Sequence, residues 1–120
     1  MLTPANNLLA DSTLVQVVCT VGALPAITLT VEDSVTGQSG PLASLKIKIT
    51  NGTLSDTAFV NFISAGAPLF VLPMAFEREG VYDLAVTADG YKPWSRSGIT
   101  VTADICHVMT VPITARLQAQ

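Results

Sequence analysis

Charge is scarce in this chain. Lys and Arg number six and Asp and Glu nine, together 12% of 120 residues, and the formal net charge is −3. With no basic run, the electrostatic footprint of a nucleic-acid binder is missing, so DNA and RNA are not expected as partners. Long apolar runs are lacking too. The longest apolar stretch, residues 14–27, is broken by Gln16, Gly22 and Pro25, short of the 18 or more residues that a spanning helix needs. No membrane span is expected. Residues 1–13 hold no Lys or Arg and do hold Asp11, which argues against an uncleaved secretory signal. Cys19 follows Val17 and Val18, where a lipid-attachment cysteine wants a small residue directly before it. The reading is of a mature chain or one whose export signal has been removed.

Histidine and cysteine are equally sparse. His107 is the single histidine, which excludes a His-rich metal site, and any Ser-His-Asp triad would have to use it as the base. Two cysteines occur, Cys19 and Cys106. They allow one disulfide, which the chain-entropy model credits with about 4 to 5 kcal/mol for a loop this long. Two buried, reduced thiols are the alternative, since free Cys packs as a small hydrophobe; residue alternation does not separate the two.

What the chain has is apolar residues, 49% of the total. That excludes disorder, and the length suits one domain. Val, Ile and Thr dominate, and apolar residues alternate rather than recur at helical spacing, which predicts strands. Ile27-Thr28-Leu29-Thr30-Val31 is one, ending in the turn formers of residues 33–37. Leu45-Lys46-Ile47-Lys48-Ile49 is sharper, with both lysines on the solvent side, and Asn51-Gly52 supplies a type I′ hairpin turn. A return strand starts near Thr53. The segment through Phe59, Phe62, Gly66, Pro68 and Pro73 is too irregular for strand assignments. Residues 81–88 put Tyr82, Leu84 and Val86 on one face. A short strand over 99–102 and a long one over 105–117 complete the set, with Pro112 marking the last as an edge or a bulge. On that parity Cys106 faces away from the apolar stripe, so a bridge to it needs a bulge or lies outside the core. Turns every 8 to 12 residues suggest a sandwich.

Four ordered segments resemble bacterial carboxypeptidase regulatory-like domains. They are Ala26 through Gly37, Glu77-Arg78-Glu79-Gly80-Val81-Tyr82, Ala88-Asp89-Gly90-Tyr91-Lys92-Pro93-Trp94, and Cys106-His107-Val108 ahead of Thr114-Ala115-Arg116-Leu117. The resemblance covers residues 19–117. It implies a Greek-key, transthyretin-like (immunoglobulin-like) β-sandwich of about seven strands, exported, and serving as a non-catalytic accessory or surface module. It also implies that Cys19 pairs with Cys106. The arm of residues 1–13 and the apolar stretch 65–74 lie outside the pattern.

Candidate chemistry is thin. Glu32 with Asp33 and Glu77 with Glu79 are paired carboxylates, but beside turns they read as solvated rather than as acid-base groups. Asp33, Asp89 and Asp104 are turn carboxylates with no EF-hand-like spacing, so no metal site is assigned. No cofactor is expected. Asn51-Gly52-Thr53 is formally a glycosylation sequon but already serves the hairpin. Tyr91 and Trp94 share a loop in which aromatic rings either stack on sugars or cap the core. The arm carries Leu8 and Leu9, and Leu14, Val15 and Val17 follow; such an apolar segment can add as a strand to a neighbour's sheet edge, and head-to-tail addition yields a filament. The competing reading makes residues 14–21 the domain's own first strand.

The sequence therefore predicts an arm over 1–13 and a single all-β domain over 14–120, extracellular, on the cell surface or periplasmic. It is expected to act without catalysis through protein contacts, mainly with itself, or alternatively to bind a carbohydrate through Tyr91 and Trp94.

Overall fold

In the computed structural model, Cys19 and residues 22–120 are described. The assembly arm, Leu8, Leu9, Leu14, Val15 and Val17, and, apart from Cys19, the proposed strand over 14–21 lie outside the described residues. Among the described residues seven strands form: β1 (Ile27–Asp33), β2 (Leu42–Asn51), β3 (Leu54–Ile63), β4 (Phe70–Met74), β5 (Gly80–Thr87), β6 (Trp94–Val101) and β7 (Val111–Leu117). They make two sheets, β4-β1-β7 and β3-β2-β5-β6. The protein is an all-β sandwich of single-domain size, and among the described residues no helix is long and apolar enough to cross a membrane.

Alternation explains the layering. Ile27, Leu29 and Val31 of β1 face Leu45, Ile47, Leu84 and Val86 of the second sheet, all essentially without solvent contact, while Lys46 and Lys48 point out. β1 is the central strand of its sheet and parallel to β7, with Ile27 opposite Val111 and Asp33 opposite Leu117. Asn51-Gly52 turns β2 into β3, with Gly52 at φ 61°, as the hairpin signal required.

Three expectations need revision. The last strand begins at Val111, because Asp104 diverts residues 104–107 into a turn: its Oδ1 accepts the Cys106 and His107 N–H groups, both at 2.8 Å. The return strand expected near Thr53 is β3, but it runs on to Ile63 into the segment judged irregular, which also holds β4, and the strand expected over 99–102 starts at Trp94. Pro112 does lie on an edge strand.

Strand direction gives the sandwich two ends. The first gathers the starts of β1, β5 and β7 and the ends of β4 and β6. The second gathers Asp33, the end of β7 and the loop between β5 and β6.

Candidate functional site

At the first end the structure joins Cys19 to Cys106, with Cα atoms 5.3 Å apart. The bridge lies outside the core, Cys19 being exposed. Beside it Glu77 ties three segments together. Its Oε2 accepts the Leu24 N–H at 3.0 Å and meets His107 Nδ1, and its Oε1 accepts the Val108 N–H at 3.1 Å. The Glu77 N–H in turn donates to the Leu24 carbonyl at 2.8 Å. Glu77 sits at φ 56°, a left-handed conformation uncommon for residues other than glycine and of the kind that surrounding contacts must hold.

The electrostatics follow from those bonds. Hydrogen bonding from Leu24, then from His107, holds the Glu77 carboxyl below the usual carboxylate range. Asp104 is lowered by the His107 and Cys106 N–H groups. Hydrogen bonds favour the charged carboxylate in the folded state, so each contributes stability above its unfolded pKa and loses it as pH falls through the lower folded value. Stability should hold from neutrality to about pH 5 and decline below about pH 4. Denaturant midpoints against pH check this: Glu77→Gln should flatten the acid limb, and an unchanged limb would contradict the assignment.

Cys106 is bridged and so supplies no thiolate beside His107. The shallow depression here is lined by Glu77, Glu79, Asp104, Cys106, His107 and Val108 with Ala103, a set with no hydroxyl. Glu77 itself, read from the sequence as one of a solvated carboxylate pair, is thus a clamp. Nothing in the Glu-Arg-Glu-Gly segment marked this role, because its partners at residues 24, 107 and 108 are far away in the chain.

At the second end the two aromatic residues part company. Tyr91 donates its hydroxyl to Asp33 Oδ2 at 2.7 Å, while Asp33 Oδ1 accepts the Val35 and Thr36 N–H groups. The tyrosine bond, foremost, holds the Asp33 carboxyl low, and the same bond with burial pushes the Tyr91 phenol up. Tyr91 therefore fixes the loop to the end of β1. Trp94 opposes the inward Val86 and packs half-buried on the core. It also borders a cleft of about 360 Å³ with Lys92, Pro93, Ser95, Arg116 and Gln118. Arg116 is held by Glu32 Oε2 at 3.3 Å and the Ser34 carbonyl at 3.0 Å.

The turn carboxylates do not converge, since Asp33 and Asp104 stand at opposite ends. No group of three or more metal-ligating side chains occurs among the described residues.

A third surface was not anticipated. Along one side, where β3 and β4 are the edges of their sheets, a groove of about 210 Å³ is lined by Ile47, Ile49, Ala58, Leu72, Met74 and Phe76 together with Asp56. Phe59 and Phe62 on β3 are 60% and 62% exposed, and Leu54, Leu69, Val71 and Phe76 about half exposed. The exposed phenylalanines were the available signal. They obscured the strand because apolar residues then occupy both of its faces.

No protein-family model matches the chain, and no curated protein is significantly similar to it.

Proposed function

We propose that the protein is a non-catalytic, exported structural β-sandwich of the carboxypeptidase regulatory-like type. It works through protein-protein contacts, with the arm of residues 1–13 helping copies assemble into a surface array or filament. The observation that carries this reading is the concentration of exposed apolar side chains along β3 and β4, because contiguous apolar exposure on a soluble domain marks an interaction surface. The disulfide supports an oxidising compartment, extracellular or periplasmic, where such bonds persist.

The test compares the whole chain with one lacking residues 1–13 by light scattering and negative-stain electron microscopy. Large species that disappear on truncation are expected. Monodisperse monomers in both samples would overturn the assembly reading.

A second reading, carbohydrate binding, is favoured by the cleft beside Trp94. The Tyr91 hydroxyl is already committed to Asp33, so Trp94 would supply the stacking surface, and Trp94→Ala would abolish retention on the sugar.

A further inference from the structure

Among the described residues the sandwich has four sheet edges, and three are defended. An exposed edge strand invites pairing with another chain unless proline, inward or edge charge, a bulge or short length prevents it. β4 has five residues and contains Pro73. β6 carries Arg96 and Gly98, the latter at φ 70°, and shifts register against β5 between Tyr82 and Leu84. β7 contains Pro112 and Arg116. β3 differs from all of these. It runs for ten residues, Leu-Ser-Asp-Thr-Ala-Phe-Val-Asn-Phe-Ile, with no Pro, Gly, Lys or Arg and a single charge at Asp56. One side of it is bonded to β2, and among the described residues no strand pairs with the other.

We propose that two copies of this chain associate by antiparallel pairing of β3 with β3, a proposal that rests on the protein-contact reading above and names the partner. The strand's own pattern argues for a second copy. Opposite residues in an antiparallel pair share a face, so inward positions of one copy must meet inward positions of the other, and the two-fold axis falls on a residue. Leu54 to Val60 is the regular stretch: beyond it Phe62 points out with Ala43, and Ile63 turns in with Leu42.

The midpoint of that stretch is Thr57. Centring there pairs Thr57 with its copy and Ser55 with Phe59 on the outer face, and Asp56 with Ala58 on the inner face. Threonine pairs of this kind are favourable across strands, and each Asp56 meets an uncharged partner rather than the other Asp56. The four-stranded sheets then join into one of eight strands. The inward Ala58 and Val60 of the second copy extend the sheet over the mouth of the apolar groove beside β3.

The experiment uses the full chain with its native disulfide intact. Thr57→Cys, oxidised and run without reductant, should give a covalent dimer, whereas Ser55→Cys and Phe59→Cys should not link to their own copies. Phe59→Lys places a charge on the outer edge and should weaken self-association, measured by sedimentation equilibrium, by about tenfold or more. Its circular dichroism and melting midpoint should stay near those of the parent. Assembly that survives Phe59→Lys, with no Thr57→Cys dimer, but dissolves when residues 1–13 are removed would overturn this proposal and leave the broader reading standing. A parent chain that stays monomeric, with and without residues 1–13, would overturn both.

Discussion

Replacing both Cys19 and Cys106 with serine should lower unfolding stability by about 4 to 5 kcal/mol, the largest single loss expected in this molecule. The bond spans 87 positions of the 120-residue chain, and in the chain-entropy model its stabilisation grows with the length of the loop it closes. Domains of this size have on the order of 5 to 15 kcal/mol in all, and the variant would lie close to the folding threshold. The sandwich itself should persist, because the bridge lies outside the core and the strands that bury Ile27, Leu29, Leu45 and Leu84 do not depend on it. What holds Cys106 in place is local: the Asp104 carboxylate grips the turn through the Cys106 and His107 N–H groups, and Glu77 binds the flanking Val108 N–H. Urea unfolding followed by far-ultraviolet circular dichroism separates these contributions. A native-like spectrum with a sharply lower midpoint is expected of the variant and of the parent after complete reduction, verified by thiol titration; a midpoint unmoved in both would refute the assignment.

How far the sequence disclosed this architecture depended on whether a strand's two faces differ. β2 and β5 alternate apolar and polar residues, so their inward faces were legible from period alone, although β2 starts at Leu42, ahead of the alternation read from Leu45. β3 defeats the same reading because Ala58 and Val60 point inward while Phe59 and Phe62, equally apolar, point out. An edge strand with apolar residues on both faces loses the polar face by which strands are recognised. β4 was obscured by Pro73, which an edge position tolerates. The disulfide was undecided by periodicity, since alternation cannot bring residues 19 and 106 together, and only the family resemblance favoured it. The clamp at Glu77 was invisible for a related reason. Two of its three partners, Leu24 and Val108, offer backbone N–H groups, and backbone donors leave no mark in a sequence. Tyr91 and Trp94, adjacent in one loop, were read as a pair, yet β6 begins at Trp94 and turns its ring toward Val86, while Tyr91 reaches Asp33.

Gly40→Ala should cost about 3 kcal/mol or more, although nothing in the sequence around Gly40 marks it as anything but part of a turn. The chain crosses from β1's sheet to β2's at Ser39-Gly40. Ser39 is fully buried there, its hydroxyl donating to the Val31 carbonyl and accepting the Phe70 N–H at 2.6 Å. The crossing is thereby fixed between the two sheets and against the end of β3, where a side chain on Gly40 would occupy the position of the Ser64 backbone carbonyl. A methyl group cannot be accommodated by rotating a side chain, because the obstruction is main chain. The Ser64 carbonyl also receives the Ala67 N–H at 3.2 Å, so its displacement would disturb the turn leading into β4. Overpacking of this sort typically costs about 1 to 3 kcal/mol when side chains can yield, and more when they cannot. Gly66→Ala is the matched control: Gly66 has φ 81° with open space around it, so the substitution incurs only the left-handed backbone penalty, about 1 to 2 kcal/mol. Thermal midpoints of the two variants decide the matter. Gly40→Ala should melt well below Gly66→Ala, and an equal or higher midpoint would mean that the crossing between the sheets is not closed as tightly as this geometry requires.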